Sequence, residues 1–300
     1  MARRLIVLLG VAATVSACSA GREAVWERDG QKLKAPAEAG TPAAEANATL
    51  MSDADAAWSQ RTDRAQLEAA IAAWEKLIEQ NGEDGAILAK LSRAYYLLGD
   101  GYMRLAGEDG MEQTLEKGVE YGERAMMAMS PQFAERVRAE EKVEDAVQSL
   151  EKNAMGAVYW YASNLGKFAA EKGFTTQLFY KDRIVAVMTR VLELDPEFFY
   201  AAPHRYFGAF YAKAPAFAGG DMDKSREHFD ISIQKHPEYL GTKVLLADFW
   251  AVKQDDKALF MKMLDEVLAA DPNAVPELVA ENRIEQEKAR QLKAKVDELF

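Results

Sequence analysis

Apolar residues recur along most of this chain at three- and four-residue steps, the spacing of one face of an α-helix. Leu67, Ala70, Trp74, Leu77 and Ile78 form one such stripe, which stops at Asn81-Gly82, a pair suited to a left-handed helix end. Leu88, Leu91, Tyr95, Leu98 and Tyr102 form the next. Leu115, Val119, Gly122, Ala125 and Met129 form a third that ends before Ser130-Pro131, with Gly118 and Gly122 small enough to let another helix approach closely. Residues 132–152 are charged, with Val137, Val143, Val147 and Leu150 as their apolar stripe, and predict a helix covering the stack from outside. Ala154 to Lys172 reads as a helix stopped by Gly173, and a restart at Thr175 or Thr176 runs to Leu194-Asp195-Pro196.

Beyond Phe207 the pattern becomes repetitive. Helical stripes alternate with Gly219-Gly220-Asp221, His236-Pro237, Asp255-Asp256 and Asp271-Pro272. From Pro237 to Pro272 is 35 residues, close to the ~34-residue period of a tetratricopeptide repeat. Leu240, Val244, Ala247 and Ala251 line the first helix of that step, and Leu259, Met263, Val267 and Ala270 the second. The step before it, Pro196 to Pro237, is 41 residues, and the excess falls in an extended loop from Lys213 to Gly220. A closing helix, Glu277 to Phe300, sets Ala289, Leu292, Val296 and Leu299 against a charged opposite face, as the polar cap of an array requires. No segment alternates as a strand does. The prediction is all-α: a tetratricopeptide-like helical repeat bundle over residues 52–300, with helices starting near Ser52 or Asp53.

The first 51 residues read differently. Arg3-Arg4, an apolar run from Leu5 to Val15, and small residues before Cys18 make a secretory leader over residues 1–17. Val15-Ser16-Ala17-Cys18 looks like a bacterial lipobox, with valine where leucine is commonest, and marks Cys18 for lipidation. Such a chain is anchored to a membrane without spanning it. Ser19 in place of aspartate favours the outer membrane by the sorting rule of enteric bacteria. Residues 18–51, rich in Ala, Glu, Pro and Gly, bury too little to offset their ordering entropy and predict a flexible tether.

Composition narrows the functional classes. A formal charge of −11, more negative once Arg3 and Arg4 leave with the leader, argues against nucleic acid as a partner. One cysteine allows neither an internal disulfide nor a four-cysteine zinc site. His204, His228 and His236 share no ligand spacing, and Asp221-Met222-Asp223 lacks the glycine and glutamate of a calcium loop, so capping by Asp221 or Asp223 is expected. No phosphate loop or nucleophile elbow occurs. The reading carries no catalytic residue, metal or cofactor, and is not that of an enzyme.

One region concentrates aromatic rings, from Tyr159 to Phe217. Trp160 and Asn164 are four apart and share a helix face, which sets an amide beside an aromatic platform. Trp160, Tyr161, Asn164, Phe207, Phe210, Tyr211 and Phe217 are the candidate lining of a cleft for a small amphiphilic ligand. The plainer alternative makes the same rings inter-repeat core.

Several stretches together resemble the T-component family of tripartite ATP-independent periplasmic (TRAP) transporters. They are Leu91 to Asp100, Tyr159-Trp160-Tyr161-Ala162, Gly219-Gly220-Asp221 with Ser225 to Phe229, and Lys243 to Ala247 with Gln254 to Phe260. Val279-Ala280-Glu281-Asn282 with Glu287 to Arg290 completes the set. The resemblance covers residues 60–300. It implies a repeat-derived helical lipoprotein of the periplasm that can form homotrimers, pairs with the transporter's solute-binding protein, and carries a cleft or pore for a small hydrophobic or carboxylate ligand. The residues alone leave a second reading: a lipid-anchored scaffold for envelope protein assembly, without ligand transport.

Overall fold

Helices follow the apolar stripes, with one early start and two breaks. The computed structural model describes residues 21–28 and 42–300. Helix α1 (Pro42–Ser59) begins ahead of Ser52 and Asp53. Pro42 loses no hydrogen bond in a first turn and presets φ, and the alanines after it favour helix. Asp63 and Asp84 cap α2 (Arg64–Asn81) and α3 (Gly85–Tyr96) by accepting from backbone N–H groups, and Gly82 ends α2 at φ 90°. The α3 helix then widens into a π segment, Leu97–Met103, and closes as α4 (Arg104–Ala106). Next come α5 (Met111–Met129), α6 (Pro131–Arg138), α7 (Val143–Ala146), α8 (Met155–Lys172), α9 (Phe174–Leu194) and α10 (Phe198–Lys213). After α11 (Met222–Lys235), α12 (Gly241–Leu245) runs into a second π segment, Leu246–Ala251. The chain closes with α13 (Lys257–Ala269), α14 (Val279–Lys293) and α15 (Val296–Leu299), and the described residues hold no strand.

Two cores result. The first joins α2, α3, α5, α8 and α9 around Leu67, Trp74, Leu91, Leu115, Met126 and Tyr161. The second gathers Phe229, Leu240, Val244, Ala247, Phe260, Leu264, Val267 and Ala289. Close approach within the first depends on the two glycines of α5: a Cβ on Gly122 would stand 2.8 Å from the Tyr161 Cα, and one on Gly118 2.3 Å from Asn164 Oδ1. Both are distances that real side chains cannot occupy.

Residues 132–152 do bury Val137, Val143, Val147 and Leu150, but not as one helix. Glu140 turns the chain at φ 60°, and the Arg136–Glu141 pair at 2.5 Å clasps that turn. The closing helix is also no polar cap. It breaks at Ala294–Lys295, and α14 buries Ala280, Glu281, Asn282, Ile284 and Gln286 between the cores.

The N-terminal stretch departs furthest from a tether. Residues 21–28 lie on the first core, where Arg22 bonds Glu123 at 2.5 Å, the Val25 N–H donates to Glu123 Oε2 at 3.0 Å, and Trp26 packs edge-on to Phe133. Alanine and glycine content concealed two anchoring side chains and one backbone bond. The leader, Cys18 and residues 29–41 lie outside the described residues. Among those described, no helix is long and apolar enough to cross a membrane.

Candidate functional site

Where the cores meet, the chain adopts its most unusual backbone. Phe199, Tyr200 and Ala201 are three successive left-handed residues, none of them glycine (φ 43°, 59° and 53°). Each costs roughly 1–2 kcal/mol, so the surroundings must enforce the turn. Pro203 is part of the cause. It has no N–H to give the carbonyl four residues back, which is that of Phe199. Arg205 supplies the missing donors, from Nη2 to Phe199 O at 3.3 Å and from Nη1 to Tyr200 O at 2.9 Å. Its guanidinium is buried over the Tyr239 ring, 3.8 Å from the centroid. Among the described residues no carboxylate pairs with it.

Rings hold the turn from the other side. Phe199 packs on Trp160 at 5.1 Å and on Tyr239 at 5.7 Å, and Tyr200 stacks on Tyr239 at 6.0 Å. Arg93 sits among Trp58, Trp160 and Phe199 at 5.1, 5.4 and 4.7 Å. Glu281 of α14 accepts from Arg93 at 2.7 Å and from Arg61 at 3.0 Å, which ties α3 and the α1–α2 turn to the second half of the chain.

Below this lies a buried charge cluster. Asp100, in the first π segment, is 1% exposed and meets Arg104 and Lys167 at 2.8 Å and Lys288 at 3.0 Å. Burial pushes its carboxyl up, but Lys167, Lys288 and Arg104 outweigh that and hold it well below the usual carboxylate range. Burial likewise lowers Lys288, and Asp100 with Glu285 reverses the effect, so Lys288 stays charged. Arg93, Tyr96, Asp100, Trp160, Tyr239 and Glu281 border a cavity of about 30 Å³, the scale of one or two water molecules. A groove of about 530 Å³ between α1 and the α2–α3 turn, at Met51, Asn81 and Gly85, shares none of these residues.

The predicted lining residues separate. Trp160 reaches this seam. Asn164 does share its face, but donates to Ser92 O at 2.9 Å and to Ser92 Oγ at 3.2 Å, so it ties α8 to α3. Tyr161 is fully buried toward Trp26 and α5. Phe207, Phe210 and Tyr211 belong to a second ring group with Tyr206 and His228. Phe217, on a 3₁₀ turn, is 79% exposed and reaches neither group.

Spacing alone missed a histidine pair. His204 and His228 face each other across α10 and α11 with their Nδ1 atoms 3.0 Å apart. Burial lowers both, and for His204 the neighbouring His228 lowers it further, which keeps the pair neutral with one ring donating to the other. Among the described residues, no group of three acidic, histidine or cysteine side chains could hold a metal. Asp221 caps α11 by accepting from the Asp223 and Lys224 N–H groups.

Arg93, Asp100 and Glu281 lie in stretches that carry the resemblance, but neither they nor Arg205 were marked as site residues. Two signals were available. Pro203 announces a free carbonyl, and Leu97-Leu98-Gly99-Asp100 repeats as Leu245-Leu246-Ala247-Asp248, each string inside or beside a π segment.

Among the described residues, two helical cores are joined by a seam of aromatic rings and arginines. The family model of the TRAP transporter T-component matches residues 112–300, and the chain belongs to that family. The match starts later than the 60–300 span of the resemblance, so Leu91 to Asp100 precedes it. An uncharacterized protein of Treponema pallidum (strain Nichols) is 26% identical over 191 residues, 61% of this chain; the chain spans 58% of that relative's length.

Proposed function

We propose that this protein is the lipid-anchored, periplasmic accessory component of a TRAP uptake system, a tetratricopeptide-like bundle tethered through Cys18 to the outer membrane. It docks the system's solute-binding protein, assembles as a trimer, and performs no catalysis. At the seam it holds a small amphiphilic ligand bearing a carboxylate. The observation that carries this ligand class is Arg205: a buried guanidinium beside aromatic faces, with its charge unmatched by any carboxylate of the described residues. A ligand larger than water requires the Phe199–Ala201 turn to move, and a strained turn is suited to that.

The test is extraction of the lipoprotein in mild detergent, mass spectrometry of what co-purifies, and titration calorimetry with the solute-binding protein recovered. Absence of that protein, and of binding heat, sinks the docking role. Trp160→Ala tests the ligand: retained fold and partner with lost small-molecule binding supports the seam, whereas simple unfolding returns Trp160 to the core.

The small cavity favours a second reading, the envelope scaffold without ligand transport. Recovery of assembly or cell-wall proteins in the same extraction would establish it.

A further inference from the structure

Four large apolar side chains stand exposed among the described residues, and three are neighbours. Phe174 (58% exposed), Leu178 (43%) and Phe179 (58%) occupy the first two turns of α9. A grouped apolar surface of this kind marks a contact. The adjoining chain identifies what it contacts.

Phe179 lies so close to Gly21 that a Cβ on Gly21 would stand 2.7 Å from its ring. The Arg22 N–H donates to the neighbouring Tyr180 hydroxyl at 2.7 Å. The Arg22 guanidinium is gripped by Glu123 at 2.5 Å, Glu116 at 3.3 Å and Glu120 at 3.6 Å, and only 5% of the side chain is exposed. Residue 22 is therefore bolted to the body beside the apolar turn. Cys18 precedes Gly21 by three residues, a fully extended reach of about 10 Å. Whatever holds a lipid on Cys18 lies within that reach of Gly21 and the ring packed on it.

We infer, given the lipid anchor proposed above, that Phe174, Leu178 and Phe179 form a membrane-seating surface. They bed into the acyl–headgroup boundary of the leaflet that takes the Cys18 lipid, and so fix the orientation of the bundle on the membrane. Flanking charges are met locally: Lys172 pairs with Glu112 at 2.8 Å and Lys181 with Asp182 at 2.7 Å, while Thr175, Thr176 and Gln177 are neutral. The contact is apolar, and its dependence on salt is small.

Cys18 is the sole native cysteine, so Leu178→Cys adds the one thiol that a lipidated chain leaves free. The full-length variant is labelled there with a nitroxide and reconstituted into phosphatidylethanolamine vesicles containing phosphatidylglycerol. Asp297→Cys, at a 95% exposed side chain, carries the control label. The expected result is a severalfold loss of collisions with a water-soluble nickel chelate at 178, a gain of collisions with oxygen, and no change at 297. If intact mass shows the acyl groups on Cys18 and the 178 label stays as open to nickel as the control, the seating surface is overturned and the anchor stands. Shielding from both reagents with dipolar broadening between labels assigns the patch to a second copy, and also overturns it. Two reactive thiols with no acyl mass remove the anchor and this inference with it.

Discussion

The two π segments begin from nearly the same string and shift their aspartates in opposite directions. Leu97-Leu98-Gly99-Asp100 and Leu245-Leu246-Ala247-Asp248 each widen a helix and turn an aspartate inward. Asp100 is met by three cations and lies well below the carboxylate range. Asp248 is half-buried, and burial raises it, with Lys213 and Lys167 opposing too weakly to reverse that. Backbone geometry is thus shared, and the direction of the shift is decided by what other helices bring. Arg104 follows on the same helix, but Lys167 comes from α8 and Lys288 from α14.

The largest test breaks the first half of that contrast. Asp100→Asn removes the buried carboxylate that Arg104, Lys167 and Lys288 share, and urea denaturation should show a loss of about 3–5 kcal/mol. Arg205→Gln comes next, since it strips charged donors from the Phe199 and Tyr200 carbonyls; a loss of about 2–3 kcal/mol is expected by the same measurement. Asp248→Asn should change stability at neutral pH by under about 1 kcal/mol, or raise it.

The pH dependence separates the two aspartates by sign. Asp100 has a folded pKa below its unfolded value near 4, so its contribution is complete above that value and is lost as the pH falls below it. Asp248 is raised, so its contribution is complete below about 4 and is lost as the pH rises toward its folded value. Subtracting each asparagine variant's stability profile from the wild-type profile should give slopes of opposite sign. Equal slopes would mean that the two π segments do not differ as described.

Helix positions and the helix-ending Gly82 and Gly173 were legible because local spacing and φ preference decide them. The stripes around Trp74, Leu91, Val119 and Val267 became core. Trp160 reaches the seam while Asn164 lies off it: an amide on the same face can equally close an interhelical bond, and Ser92 took it. Arg93, Arg205 and Glu281 could not be read because their meaning lies in partners from other helices. Arg93 and Glu281 are separated by 188 residues. The break at Glu140 was hidden for the opposite reason, since a polar turn and a polar helix face look alike without contacts.

The Arg22 contact carries a consequence for how the molecule is made. The backbone of residue 22 is bonded to a residue 158 positions further on. A chain made from its N-terminus produces this arm early, and cannot seat it until α5 and α9 have both been made and paired. Closing so long a loop is slow compared with forming the local helices. An early-made segment is therefore among the last into place, and its docking reports that the first core is complete.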